Sequence, residues 1–124
     1  MKKYLLIIGL LATLLVGCSS NKKTDKVQEI IDYIITNAEK IDKESGYDSD
    51  FTEDDFSFKI FYDKSKDNYL IQTYEAFEGE PNSIEMHYEW IDNSTKSVGY
   101  DTNFDKKLNA GDYEVIYKSG LYDK

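Results

Sequence analysis

From residue 25 onward the apolar positions recur at helical spacing. Val27, Ile30, Ile31, Ile34, Ile35, Ala38 and Ile41 stand three and four apart and so share one face, while Asp32, Asn37, Glu39, Lys40 and Lys43 are left for water. Asp25 is placed to cap this helix with Gln28 as its capping-box partner, and Gly46 to end it. Isoleucine is a modest helix former, so this stripe needs a sheet to pack on.

Beyond Gly46 the period drops from helical to alternating. Phe56, Phe58, Ile60 and Tyr62 line one face of a strand, with Ser57, Lys59 and Phe61 on the other. A second strand over residues 69–77 has apolar residues on both faces, the mark of a central strand covered on both sides. Glu78-Gly79-Glu80-Pro81-Asn82-Ser83 breaks it. Ile84, Met86, Tyr88 and Trp90 then alternate with Glu85, His87 and Glu89 in a third strand, Asp92-Asn93-Ser94-Thr95 turns, and residues 98–100 continue that hairpin. Residues 103–110 form a short helix presenting Phe104 and Leu108, and Tyr113, Val115 and Tyr117 form the last strand. The predicted fold is α+β, with one N-terminal amphipathic helix packed on an antiparallel sheet of about four strands.

The start of the chain follows a different pattern. Lys2 and Lys3 precede an apolar stretch over residues 4–16, too short for a bilayer span of about 20 residues, and polar Ser19, Ser20, Asn21, Lys22 and Lys23 follow. Between them stands Leu15-Val16-Gly17-Cys18, which resembles the lipobox of bacterial lipoproteins. That resemblance implies a diacylglycerol thioether on Cys18, removal of residues 1–17 as a signal peptide, and attachment to the extracellular face of the cell membrane. The expected organisation is a signal over 1–17, a lipidated cysteine and polar tether over 18–24, and one domain over 25–124. Removing residues 1–17 from the 124 leaves 107, enough for one domain.

Cys18 is the only cysteine, so lipidation leaves the domain neither disulfide nor thiolate chemistry. The net charge of −9, more negative once Lys2 and Lys3 are gone, makes nucleic acid a poor partner. Every basic residue is lysine, which removes the fork that clamps phosphates and carboxylates bidentately.

Lipobox, short tether, one amphipathic helix and strands rich in Tyr, Lys and Glu, ending on Tyr113-Glu114-Val115-Ile116-Tyr117-Lys118, resemble the small cystatin-like fold lipoproteins of Gram-positive bacteria. The resemblance implies a helix wrapped by a four-stranded sheet and no established enzymatic activity. It does not carry over protease inhibition, because the Gln-x-Val-x-Gly hairpin of true cystatins is missing: Glu29-Ile30 follows Gln28, and Thr73-Tyr74 follows Gln72.

Candidate chemistry is sparse, and no catalytic residue, metal site or cofactor is assigned. His87, the only histidine, stands between Glu85 and Glu89, but same-face neighbours along a strand lie nearly 7 Å apart and read as a solvated row. The acidic stretch over residues 48–55 begins like a calcium loop, yet Glu53 replaces the turn glycine and Lys59 the bidentate glutamate. Eleven tyrosines, six phenylalanines and one tryptophan are enough to fill a core and leave a surface patch, for which Tyr69, Ile71, Thr73 and Phe61 are the candidates. The expected function is a non-enzymatic interaction module with an envelope or surface protein as partner; the alternative is a ligand-binding or hydrolytic pocket between helix and sheet.

Overall fold

The computed structural model describes residues 23–99 and 101–124, so the expected signal peptide over 1–17, the expected lipidation site Cys18 and most of the expected tether lie outside the described residues. Helix α1 (Asp25–Glu44) comes first, then a short 3-10 turn (Glu53–Asp55), β1 (Ser57–Asp63), β2 (Asn68–Phe77), β3 (Glu80–Ile91), β4 (Ser94–Ser97), helix α2 (Asp101–Ala110) and β5 (Tyr113–Lys118). The strands form one antiparallel sheet in the order β4-β3-β2-β1-β5. The fold is α+β, as expected, but the sheet has five strands rather than four, and the long helix starts at Asp25 instead of at the N-terminus of the chain.

Each end of α1 shows its cause. Thr24, not Asp25, is the N-cap: its backbone is extended and its hydroxyl accepts the Val27 N–H at 3.2 Å. Asp25 instead lies in the first turn, where a negative charge suits the helix dipole, and Gln28 donates to Asp32 at 2.8 Å rather than reaching back to the cap. Gly46 ends the helix as expected. At φ +94° it lets Gly46 N–H reach the Lys43 carbonyl at 3.1 Å and Tyr47 N–H the Asp42 carbonyl at 2.9 Å, a Schellman closure. Of the residues expected in the tether, Thr24 caps the helix and Lys23 pairs with Glu53 at 2.7 Å.

Val27, Ile30, Ile31, Ile34 and Ala38 are buried against Phe56, Phe58, Ile60, Ile71, Tyr88, Trp90 and Tyr117. The stripe fails at its last turn: Ile41 is 43 % exposed while Asp42 is 1 % exposed. At that point the helix meets the β2–β3 turn, whose amides need acceptors. The Asp42 carboxylate takes the N–H groups of Glu78 (2.8 Å) and Gly79 (3.0 Å) and the Ser49 hydroxyl (2.7 Å). Burial pushes this carboxyl up, and the three donors outweigh it and hold it below the ordinary aspartate range.

The sheet departs from the sequence expectation where turns are tighter. Glu78 and Gly79, with φ of 51° and 80°, reverse the chain in two residues, so Glu80, Pro81, Asn82 and Ser83 belong to β3 instead of to a loop. Asp92 and Asn93, with φ of 52° and 60°, do the same, which puts β4 at Ser94–Ser97 and not at 98–100; Tyr100 lies outside the described residues. A register shift between Ile60 and Phe61 pairs them with Tyr117 and Val115, leaving Ile116 between; Val115 turns outward while Tyr117 is buried.

Helix α2, expected over 103–110, covers part of the opposite face of the sheet, with Phe104 packed on Phe61, Leu70 and Val98, and Leu108 and Tyr113 alongside. Buried Asp63 ties this end together, accepting from Ser65 N–H (2.9 Å), Ser65 hydroxyl (2.7 Å) and Asp112 N–H (2.8 Å). The Asp112 amide and then the Ser65 hydroxyl lower its pKa to about 2 against the opposing effect of desolvation.

Candidate functional site

Glu85, His87 and Glu89 occupy the face of β3 turned away from α1, but they do not form a solvated row. His87 is only 6 % exposed, because α2 lies over it and brings the Phe104 ring to 4.8 Å. Its Nε2 is 3.4 Å from the Glu85 carboxylate. Glu89 is engaged elsewhere: it accepts from Asn68 at 2.9 Å and pairs with Lys107 at 3.2 Å. The row is thus split into an imidazole–carboxylate pair and a separate polar link. Among the described residues no three His, Cys, Asp or Glu side chains gather where they could hold a metal ion.

Beside this pair the chain leaves the sheet. Val98 N–H still bonds the His87 carbonyl at 2.9 Å, and after it the backbone turns away toward α2. The step leaves a hollow of about 170 Å³ lined by Glu85, Met86, His87, Ser97, Val98 and Gly99. Pockets for whole cofactors or drug-sized ligands run from about 300 Å³ upward, so this one suits a single side chain. A wider, open groove of about 450 Å³ runs between α1 and the β3–β4 turn, where Tyr33 meets Trp90 edge-on at 5.5 Å beside Glu29, Asp32, Lys40 and Asn93.

The acidic loop is used for structure. Phe51 N–H takes the Glu39 carboxylate at 2.7 Å, Thr52 N–H takes Asp55 at 2.9 Å, and Glu53 bridges the Lys23 ammonium and the Tyr117 hydroxyl, each at 2.7 Å. These bonds point the loop's oxygens apart. The aromatic patch is also relocated: Ile71 and Thr73 lie fully buried under α1, Phe61 lies under α2, and Tyr69 is half-buried against Tyr62 with ring centres 4.6 Å apart. Tyr69, Ile71 and Thr73 belong to the central strand, and Phe61 to its neighbour β1, so packing on both faces takes what alternation alone left open.

One buried polar group was not anticipated. Glu75, on the α1 face, accepts from the Thr73 hydroxyl at 2.8 Å and is hydrogen-bonded to the Tyr88 hydroxyl. Burial raises its carboxyl above the ordinary range, more than the Tyr88 and Thr73 hydroxyls lower it. Its spacing from Ile71 and Thr73 at steps of two was the available signal. Comparison with protein families, with curated proteins and with solved structures gives no match for this chain.

Proposed function

We propose that the protein is a lipid-anchored lipoprotein on the extracellular face of the cell membrane, acting as a non-enzymatic interaction module for an envelope or surface protein. The observation that carries this reading is Leu15-Val16-Gly17-Cys18, set close before a domain that opens at Lys23. With Lys23 and Thr24 held in the domain, residues 19–22 are the tether, about 14 Å at full extension. The 20-residue helix α1 spans about 30 Å, so the Glu78-Gly79 turn at its far end is carried away from the anchor. Among the described residues no helix is long and apolar enough to cross a membrane. In this reading attachment is made by the acyl chains at Cys18.

The long helix lying across an antiparallel sheet supports the cystatin-like reading of the fold, with β4 and α2 as additions to it. Apolar side chains fill the space between α1 and the sheet, which favours an interaction module over a pocket at that interface. Metabolic labelling with an alkyne fatty acid is expected to mark the wild type, and Cys18→Ala is expected to lose the label and leave the membrane fraction with its domain folded. A labelled variant, or one that fails to fold, overturns the reading.

A further inference from the structure

β3 is paired on its β2 side from Ile84 to Trp90 and again at Glu80, with a register shift between them that leaves Pro81, Asn82 and Ser83 without ladder partners. On the other side β4 meets it from Tyr88 to Ile91 alone, with Val98 N–H to the His87 carbonyl as the last rung. In an antiparallel ladder alternate residues turn both backbone groups to the same side. His87 faces β4, so Glu85 and then Ser83 face the same way, beyond the point where β4 has left and before the irregular stretch at Asn82 with its φ of 47°. Both are exposed, and among the described residues no hydrogen bond reaches their outward backbone. The 170 Å³ hollow opens where this bare edge begins.

We propose that this edge receives an extended, lysine- or arginine-rich segment of a partner protein as an added strand, with one apolar side chain of that segment seated in the hollow beside His87. Strand addition draws affinity from the main-chain rungs and selectivity from pockets for alternate side chains, and both elements are present here. The charge of the occupant follows from the surface: exposed Glu78, Glu80 and Glu85 flank the edge on a chain of net charge −9. The same charges oppose a second copy of the chain, since edge-to-edge pairing brings glutamates together. The register shift at Pro81, Asn82 and Ser83 limits the added strand to the few residues from Ser83 to His87. The other outer strand, β5, has its bulge at Ile116, in the middle of its pairing with β1.

This inference deepens the interaction reading by naming the kind of partner, and it does not depend on the anchor. The full chain, as wild type in membrane vesicles and as Cys18→Ala, is titrated with a blocked seven-residue peptide alternating lysine and valine, and with its glutamate–valine counterpart. Amide hydrogen exchange at Ser83 and Glu85 is expected to slow at least tenfold with the lysine peptide in both forms, and not with the glutamate peptide. Glu85→Pro removes one outward N–H without touching the β2 ladder and is expected to weaken binding more than tenfold at an unchanged melting temperature. If that variant unfolds, Glu85→Lys serves instead, with preference moving toward the glutamate peptide. Absence of protection at these amides, protection on β5, equal response to both peptides, or a concentration-dependent dimer abolished by Glu85→Lys overturns the proposal. Binding that persists in Cys18→Ala while fatty-acid labelling fails separates this inference from the anchor reading.

Discussion

The sheet is finished on one face and left half-open on the other. Under α1 the side chains of Phe58, Ile60, Ile71, Tyr88 and Trp90 meet an isoleucine stripe and form one continuous cluster. On the opposite face a smaller cluster under α2 covers only Phe61, Leu70, Val98 and Phe104, and the remainder is polar, with Gln72 donating to Glu85 at 3.2 Å and Tyr74 lying against Tyr122. The difference separates two tasks. Burial under α1 supplies most of the stability, at about 25 cal/mol per Å² of apolar surface, and the smaller cluster under α2 adds less.

Removing an α1 contact should therefore have the largest effect. Ile30→Ala is expected to cost about 2–5 kcal/mol in denaturant unfolding, the range for deleting a fully buried Ile side chain. A loss under 1 kcal/mol would mean that the α1 face is not the stabilising one. Phe104→Ala should act more locally: hydrogen exchange is expected to show the amides of α2 losing protection while those of β1, β2 and β3 keep theirs. Uniform loss across the sheet would merge the two faces into one cooperative unit.

Among the buried carboxyls, Asp63 and Glu75 shift in opposite directions, and pH tests that contrast. Asp63, on the α2 side, has a folded pKa of about 2, below its unfolded value, so its contribution is full above the ordinary aspartate range and is lost as the pH falls toward 2. Glu75, under α1, has a folded pKa raised above its unfolded value. The folded state then binds the extra proton, and stability falls as the pH rises past the ordinary glutamate range. Glu75→Gln is expected to raise the melting temperature at pH 8 and to change it little at pH 4; an equal shift at both would show that the charge is not what costs stability. The smallest effect belongs to Ile41, outside the stripe, where Ile41→Lys should stay within about 0.5 kcal/mol of wild type by thermal unfolding.

The helix, the central strand and the α+β class were legible because each rests on a local period repeated several times. Val27, Ile30, Ile31, Ile34 and Ala38 needed no partner to be recognised as a face, and Gly46 no partner to end the helix. Ile41 was misjudged, and Asp42 not singled out, for the opposite reason. Which of two adjacent residues enters the core depends on the Glu78 and Gly79 amides, which arrive from 36 and 37 residues away. His87 was misjudged likewise, since its cover is a helix that follows it in the chain and packs back through Phe104.

The chain by itself determined where apolar side chains recur and therefore which segments become helix and strand, because periodicity is a property of neighbours in sequence. It also carries Leu15-Val16-Gly17-Cys18, a contiguous motif whose resemblance to a lipobox is read residue by residue. Tertiary structure decided which polar groups are buried, how far β4 follows β3, and hence that an edge and a hollow stay open between Pro81 and Gly99. Those outcomes depend on backbone amides and side chains far apart in the chain competing for the same space and the same hydrogen bonds.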